Sequence, residues 1–326
     1  MENRSYRSLF WPIVLIGIGV VWLLGAMGVI PNINWGMLAS LWPLILIVIG
    51  LDILIGRRST AGGAIVGLLA VAAVVVLLVV GPSLGLATSG TLKTQMLASE
   101  IGTATSADIT MNFASQPVAM SALTDKTSLL SGEIDYYGSL NFSESGNPTR
   151  RIRLAQTGTS GFSIPWDSNA RWDIALTPNL PIDLTIDGGS GSANLELGEL
   201  RLTSFSLDQG SGSLTLELPP STQHYNANIN GGSGSMNLTF PADGDLTVRL
   251  NGGSGSINIH IPTEAAVQLD IRNSGSGSVN VPSRLQAVRV FDNFKEGTWE
   301  TAGFDQAVHK LIIICDDLGS GSFNIN

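Results

Sequence analysis

Three histidines (His224, His260, His309), the single cysteine Cys315 and the acidic pair Asp316 and Asp317 are the residues of this 326-residue chain best suited to chemistry. A metal site needs several such groups to converge. Counted from the preceding Gly-Ser-Gly-Ser, or from Gly297 where that motif is missing, the histidines fall at offsets 14, 7 and 12. They share no position in the repeat, so stacking the repeats builds no row of ligands. Cys315 follows Leu311-Ile-Ile-Ile314 and reads as a small buried thiol. One cysteine excludes an intramolecular disulfide and any multi-cysteine metal site. Serines abound, but none sits in a Gly-x-Ser-x-Gly strand-to-helix elbow, and Gly189-Ser-Gly-Ser-Ala193 reads as a corner. Asp316 and Asp317 are the carboxylates to consider for glycoside hydrolysis, because acidic residues on a solenoid face can approach each other, but this is a minor reading. The expectation is a non-enzymatic chain with no catalytic residue, no cofactor and no metal.

The serines belong to a repeat. Gly-Ser-Gly-Ser begins at Gly189, Gly210, Gly232, Gly253, Gly275 and Gly319, with steps of 21, 22, 21, 22 and then 44. Its second glycines are Gly191, Gly212, Gly234, Gly255, Gly277 and Gly321. Gly297 stands where a copy is missing, which predicts a degenerate unit there. Alternating apolar runs enter each motif (Leu246, Val248, Leu250) and leave it (Ile257, Ile259, Ile261), the mark of strands with one buried face. Exit runs stop at Pro219, Pro241, Pro262 and Pro282, because proline cannot donate to a ladder. Leu250 and Ile257 are an odd seven residues apart, so the backbone must bend at the motif for both to point inward. Glycine is expected to supply that bend through conformations closed to other residues.

Near-constant unit length is what stacking coils demand. The period therefore predicts a single-stranded β-solenoid (β-helix) with coils of about 22 residues, glycines lining one corner and serines hydrogen-bonded in ladders. An antiparallel meander, with each motif a hairpin turn, is the alternative.

The remainder is apolar. The chain is 44% hydrophobic and 13% charged, with mean hydropathy +0.27. Stretches at about 9–30, 37–55 and 62–80 each approach the length of about 20 residues that a membrane-spanning helix requires. They predict a membrane α-helical hairpin plus a third helix. Trp11-Pro12 and Trp42-Pro43 open matching segments 31 residues apart, with tryptophan at the membrane interface and proline in the first helical turn. Arg4 and Arg7 precede the first stretch and Arg57 and Arg58 follow the second, which places the N-terminus inside and the region after about residue 85 outside the cytoplasm. Residues 1–90 carry net charge +2 and the rest −11, so a nucleic-acid partner is excluded. The expected domains are 1–85 in the bilayer, 86–180 as degenerate β coils and a cap, and 181–326 as the repeats.

The paired Trp-Pro segments resemble the transmembrane region of LiaI and LiaF type bacterial envelope-stress proteins. Trp172-Asp-Ile-Ala-Leu-Thr-Pro178, then Ile182-x-Leu184-x-Ile186, Gly-Ser-Gly-Ser and Leu195-x-Leu197, is similar to the toastrack-type adhesin domain found in the same group. The resemblance implies a multi-pass protein of the bacterial plasma membrane, with a β-solenoid sensor or scaffold domain that modulates envelope-stress signalling. A surface adhesin or self-assembling envelope scaffold is the alternative. Implied partners are the lipid bilayer, a membrane sensor kinase or cell-envelope polymer, and a second copy of the chain.

Overall fold

The computed structural model describes residues 10–26, 42–51, 53, 60–80, 92–157, 170–291 and 295–326. Arg4, Arg7, Arg57 and Arg58 lie outside the described residues, as do the side chains of Trp11, Trp42 and Pro43. The chain forms two compact units, residues 1–91 with 159–168, and residues 92–158 with 169–326.

The first unit holds three helices, α1 (Phe10–Ala26), α2 (Trp42–Leu51) and α3 (Thr60–Val80). None has an acidic residue in its first turn or a basic one in its last. α1 lies close against α3 at Gly17, where even a methyl group would run into Val71. Small residues permit such approach between apolar helices. Away from this contact Leu15, Ile16, Trp22, Leu68 and Leu69 are exposed. Among the described residues, no helix is long and apolar enough to cross a membrane.

The second unit is all β. Its first part holds β1 (Lys93–Glu100), β2 (Ser106–Asn112), β3 (Val118–Ala122), β4 (Ser128–Tyr136), β5 (Ser139–Ser145), β6 (Thr149–Thr157) and β7 (Trp172–Leu176). The repeats supply β8 (Pro181–Asp187), β9 (Ala193–Glu196), β10 (Arg201–Gln209), β11 (Leu214–Glu217), β12 (Ser221–Gly231), β13 (Met236–Thr239), β14 (Gly244–Asn251), β15 (Ile257–His260), β16 (Val267–Ile271) and β17 (Val279–Asn280). β18 (Leu285–Val290), β19 (Gly297–Thr301), β20 (Leu311–Asp317) and β21 (Phe323–Ile325) follow.

These strands make a ten-stranded sheet, ordered β1-β4-β7-β3-β9-β11-β13-β15-β21-β17, and an eleven-stranded sheet, ordered β18-β19-β16-β20-β14-β12-β10-β8-β2-β6-β5. Their inward side chains form one buried cluster. Each Gly-Ser-Gly-Ser carries the chain from the longer strand of one sheet to the shorter strand of the other. Leu250 and Ile257 are therefore both buried, despite their odd spacing. Neighbouring repeats run parallel with like residues opposed, as in Ala193, Leu214, Met236 and Ile257. A meander of antiparallel hairpins does not describe this region.

Several expectations change. The stack does not follow chain order: β20 lies between β14 and β16, and β21 between β15 and β17. The step of 44 marks this insertion, since Gly319 sits over Gly253 and Gly275 over Gly319. Gly297 is no corner but the start of β19, which pairs antiparallel with β16 and β18. β18 and β19 thus form an antiparallel pair at one end of the longer sheet instead of a degenerate coil. At the other end the same device recurs, with β2 between β8 and β6, and β5 antiparallel on β6.

Candidate functional site

The glycine corners are built by close approach more than by unusual dihedrals. Of the twelve motif glycines only Gly189, Gly275 and Gly319 have positive φ, at 44°, 60° and 66°. At every one, however, an added Cβ would collide with backbone of the preceding layer. For Gly210 it would lie 2.7 Å from the Gly189 carbonyl carbon. Gly212, Gly232, Gly234, Gly253, Gly255, Gly277 and Gly321 repeat the collision on the glycine beneath, and Gly189 and Gly191 meet Ala114 and Gln116 instead. That first corner has no motif: Ala114 itself takes φ 56°. The serine ladder is made chiefly by backbone carbonyls, with Ala193 N–H donating to Ser213 O and Leu214 N–H to Ser235 O, both at 2.9 Å. Among the described residues one side-chain rung forms, Ser322 Oγ to Ser256 Oγ at 2.9 Å.

Sequence reasoning missed a different ladder on the outer face of the ten-stranded sheet. Asn258 Nδ2 donates to Asn237 Oδ1, and Asn324 Nδ2 to Asn258 Oδ1, each at 3.0 Å. Asn194, Thr215 and Asn280 occupy the same rung. The signal was present in the sequence: each of these residues stands second after its motif.

Where the face passes from the repeats to β3, β7 and β4, it opens into a groove of about 400 Å³. Its floor is made of small residues, including Ala119, Ser121, Ser131, Gly132 and Ala175. Gly132 is required there, because a Cβ would come 2.9 Å from Asp173 O. Met96, 69% exposed, stands at one side and Asn194 and Glu196 at the other. Glu133 and Asp173 add negative charge, and Arg171 Nε donates to Asp173 at 2.6 Å. Such an open groove, lined by both polar and apolar side chains, suits an extended ligand lying along the strands better than an enclosed small molecule.

The residues suited to chemistry are kept apart. His224 Nε2 contacts Thr247 Oγ1 at 3.0 Å on the opposite sheet, while His260 and His309 are exposed elsewhere. Cys315 is fully buried, and burial, followed by the charges of Asp270 and Asp316, pushes its thiol pKa up. Asp316 accepts from Arg249 at 3.3 Å and from Arg272 at 2.6 Å, which ties β20 to both flanking strands. Asp317 Oδ1 accepts the Gly319 N–H at 2.9 Å, fixing the corner. Both carboxylates are thus occupied structurally. Among the described residues no three His, Cys, Asp or Glu side chains gather to hold a metal. Elsewhere, desolvation and the nearby Asp108 raise the Asp183 pKa, and the Ser128 and Thr127 N–H groups lower that of Asp125.

Comparison with known proteins agrees with this layout. Residues 10–92 match the family described as the LiaF transmembrane domain, and residues 88–239 the N-terminal domain of toast_rack, DUF2154. A solved candidate cell adhesion protein from Clostridium sporogenes ATCC 15579 aligns at 16% identity and TM-score 0.51, over 72% of this chain and 99% of its own. At that identity the likeness speaks for the fold alone. A candidate adhesin from Bacteroides fragilis NCTC 9343 aligns at 9% identity and TM-score 0.27, over 72% and 97%. No curated protein matches the chain. The chain carries a membrane-associating LiaF-like transmembrane region followed by a toast-rack domain.

Proposed function

We propose that this chain is a non-enzymatic, multi-pass protein of the bacterial plasma membrane whose toast-rack domain stands outside the cytoplasm as an envelope-stress sensor or scaffold. In this reading residues 1–85 anchor the chain and touch a membrane sensor kinase, while the rack, a β-solenoid of about 22-residue coils, meets envelope polymer. The observation that carries it is the outer face of the ten-stranded sheet. It presents a register-locked row of short polar side chains and a shallow groove, while the groups that could catalyse are dispersed, buried or bound to arginine. The exposed apolar helices matched to the LiaF region support the anchoring role. A surface adhesin or self-assembling scaffold is the second reading, favoured by the description of the Clostridium sporogenes protein. Deleting residues 1–90 separates the two. Loss of stress-dependent reporter activation, with no binding of the freed rack to cell-wall material, supports the signalling reading. A freed rack that binds wall material or polymerises supports the adhesin. If deletion changes neither, both readings fail.

A further inference from the structure

We propose that residues 311–326 form an exchangeable wedge through which two copies of this chain join, the wedge of one copy seating in the slot of the other. The slot is the space between β14–β15 and β16–β17 that β20 and β21 fill. Its two walls match each other as well as they match the wedge. Leu246 and Val267 both oppose Leu311, Val248 and Leu269 both oppose Ile313, and Leu250 and Ile271 both oppose Cys315. The walls are offset by 21 residues, the step that relates directly paired neighbours such as Ile229 and Leu250. Val279 likewise follows Ile257 by 22 residues, as Met236 follows Leu214. β16 therefore has a complete apolar and glycine register for pairing with β14 directly.

The charges fit both arrangements. Arg249 and Asp270 share one outward rung with Ile314 between them. With the wedge in place Arg249 binds Asp316; with the wedge out, the same guanidinium faces Asp270. A two-state element of this kind, with each state satisfied, is what exchange requires. The wedge, by contrast, cannot remain free. Leu311, Ile313, Cys315, Phe323 and Ile325 are at most 6% exposed when seated, and only another copy's slot supplies the same alternation, the same glycine corner and an arginine on each side of Asp316. The stretch 302–310 joins β19 to the wedge and, extended, spans about 30 Å, enough to reach a neighbour. Reciprocal seating closes a two-fold dimer. This inference goes beyond the sensor reading and holds whether or not the helices touch a kinase.

The test uses the full chain in detergent micelles. Asn258 and Asn324 oppose each other on adjacent parallel strands, with their amides bonded at 3.0 Å. That strand spacing, about 4.8 Å, lies within disulfide range. One tagged copy carries Asn258→Cys and a differently tagged copy Asn324→Cys, co-expressed and then oxidised. A control pair uses Asn194→Cys with Asn324→Cys, residues of one rung separated by three strands. The double variant Asn258→Cys/Asn324→Cys in one chain reports that the wedge is seated. The expected result is an internal crosslink in the double variant and a disulfide-linked mixed dimer several-fold above the control. An internal crosslink with no mixed dimer above the control overturns the exchange. Absence of any crosslink in the folded double variant, internal or between copies, overturns the seat itself. Neither outcome depends on reporter activation, so the functional reading stands or falls separately.

Discussion

Replacing Gly210 by alanine tests the physical basis of the rack. The new Cβ would lie 2.7 Å from the Gly189 carbonyl carbon and 3.4 Å from Ser190 N. Unstrained carbon contacts need about 3.5 to 4.0 Å, so the layers must part by about 1 Å. Gly210 N–H donates to the same Gly189 carbonyl at 2.6 Å, and Leu214 N–H bonds Ser235 O at 2.9 Å in the next layer. Losing or stretching two to three such bonds, at about 1 kcal/mol each, gives a destabilisation of about 3 kcal/mol. For a unit of this size that lowers the thermal midpoint by roughly 6 to 12 °C, read by far-ultraviolet circular dichroism of the full chain in detergent. Two controls isolate the cause. Ser211→Ala, at an exposed neighbour, should change stability by less than about 0.5 kcal/mol. Gly303→Ala sits at φ 77° with no neighbour nearer than 4.0 Å, so it should cost only the left-handed backbone penalty of about 1 to 2 kcal/mol. If Gly210→Ala costs no more than Gly303→Ala, close approach is not what the glycines provide.

Tyr225→Phe removes a buried hydroxyl that donates to Pro219 O at 2.8 Å. It should cost about 1 to 2 kcal/mol in urea unfolding, and an unchanged midpoint would contradict the bond's role. Alkaline pH should also destabilise the rack. Burial raises the Cys315 thiol from 9.0 and the Tyr225 phenol from 10.0, so the folded chain keeps protons that the unfolded chain sheds. Stability from these groups is complete below the unfolded values and falls as pH rises through and above them. The thermal midpoint should therefore drop steadily above about pH 9, with a shallower slope in Cys315→Ala. Equal slopes in the two proteins would refute the assignment.

The strands of the repeat region were legible because alternation and odd spacing leave little choice: Leu214, Leu216 and Leu218 can all be buried only on one face. The order of the layers was not. Leu246, Val267 and Leu311 are interchangeable in size and polarity, so nothing local tells β14 whether β16 or β20 is its neighbour. What accompanies the observed order is non-local: the antiparallel pairing of β18 with β19 and the bonds of Asp316 to arginines 67 and 44 residues away in sequence. At the motif glycines close approach outweighs dihedral freedom, since only three of the twelve positions have positive φ. The corner at Ala114 was invisible because it uses no glycine. The groove was unreadable too. It depends on Gly132 and Asp173 meeting across β4 and β7, strands of the irregular region with no shared motif.

The proposed role depends most on the side of the membrane that the rack faces. Thr215 is exposed on the outer face of the ten-stranded sheet, and the native Cys315 is buried. Thr215→Cys in the otherwise native chain therefore offers one reactive thiol. Treating intact cells, stripped of their outer layers, with a membrane-impermeant maleimide should label this variant before lysis and leave the native chain unlabelled. Labelling that appears only after lysis would place the rack in the cytoplasm and contradict the proposed role.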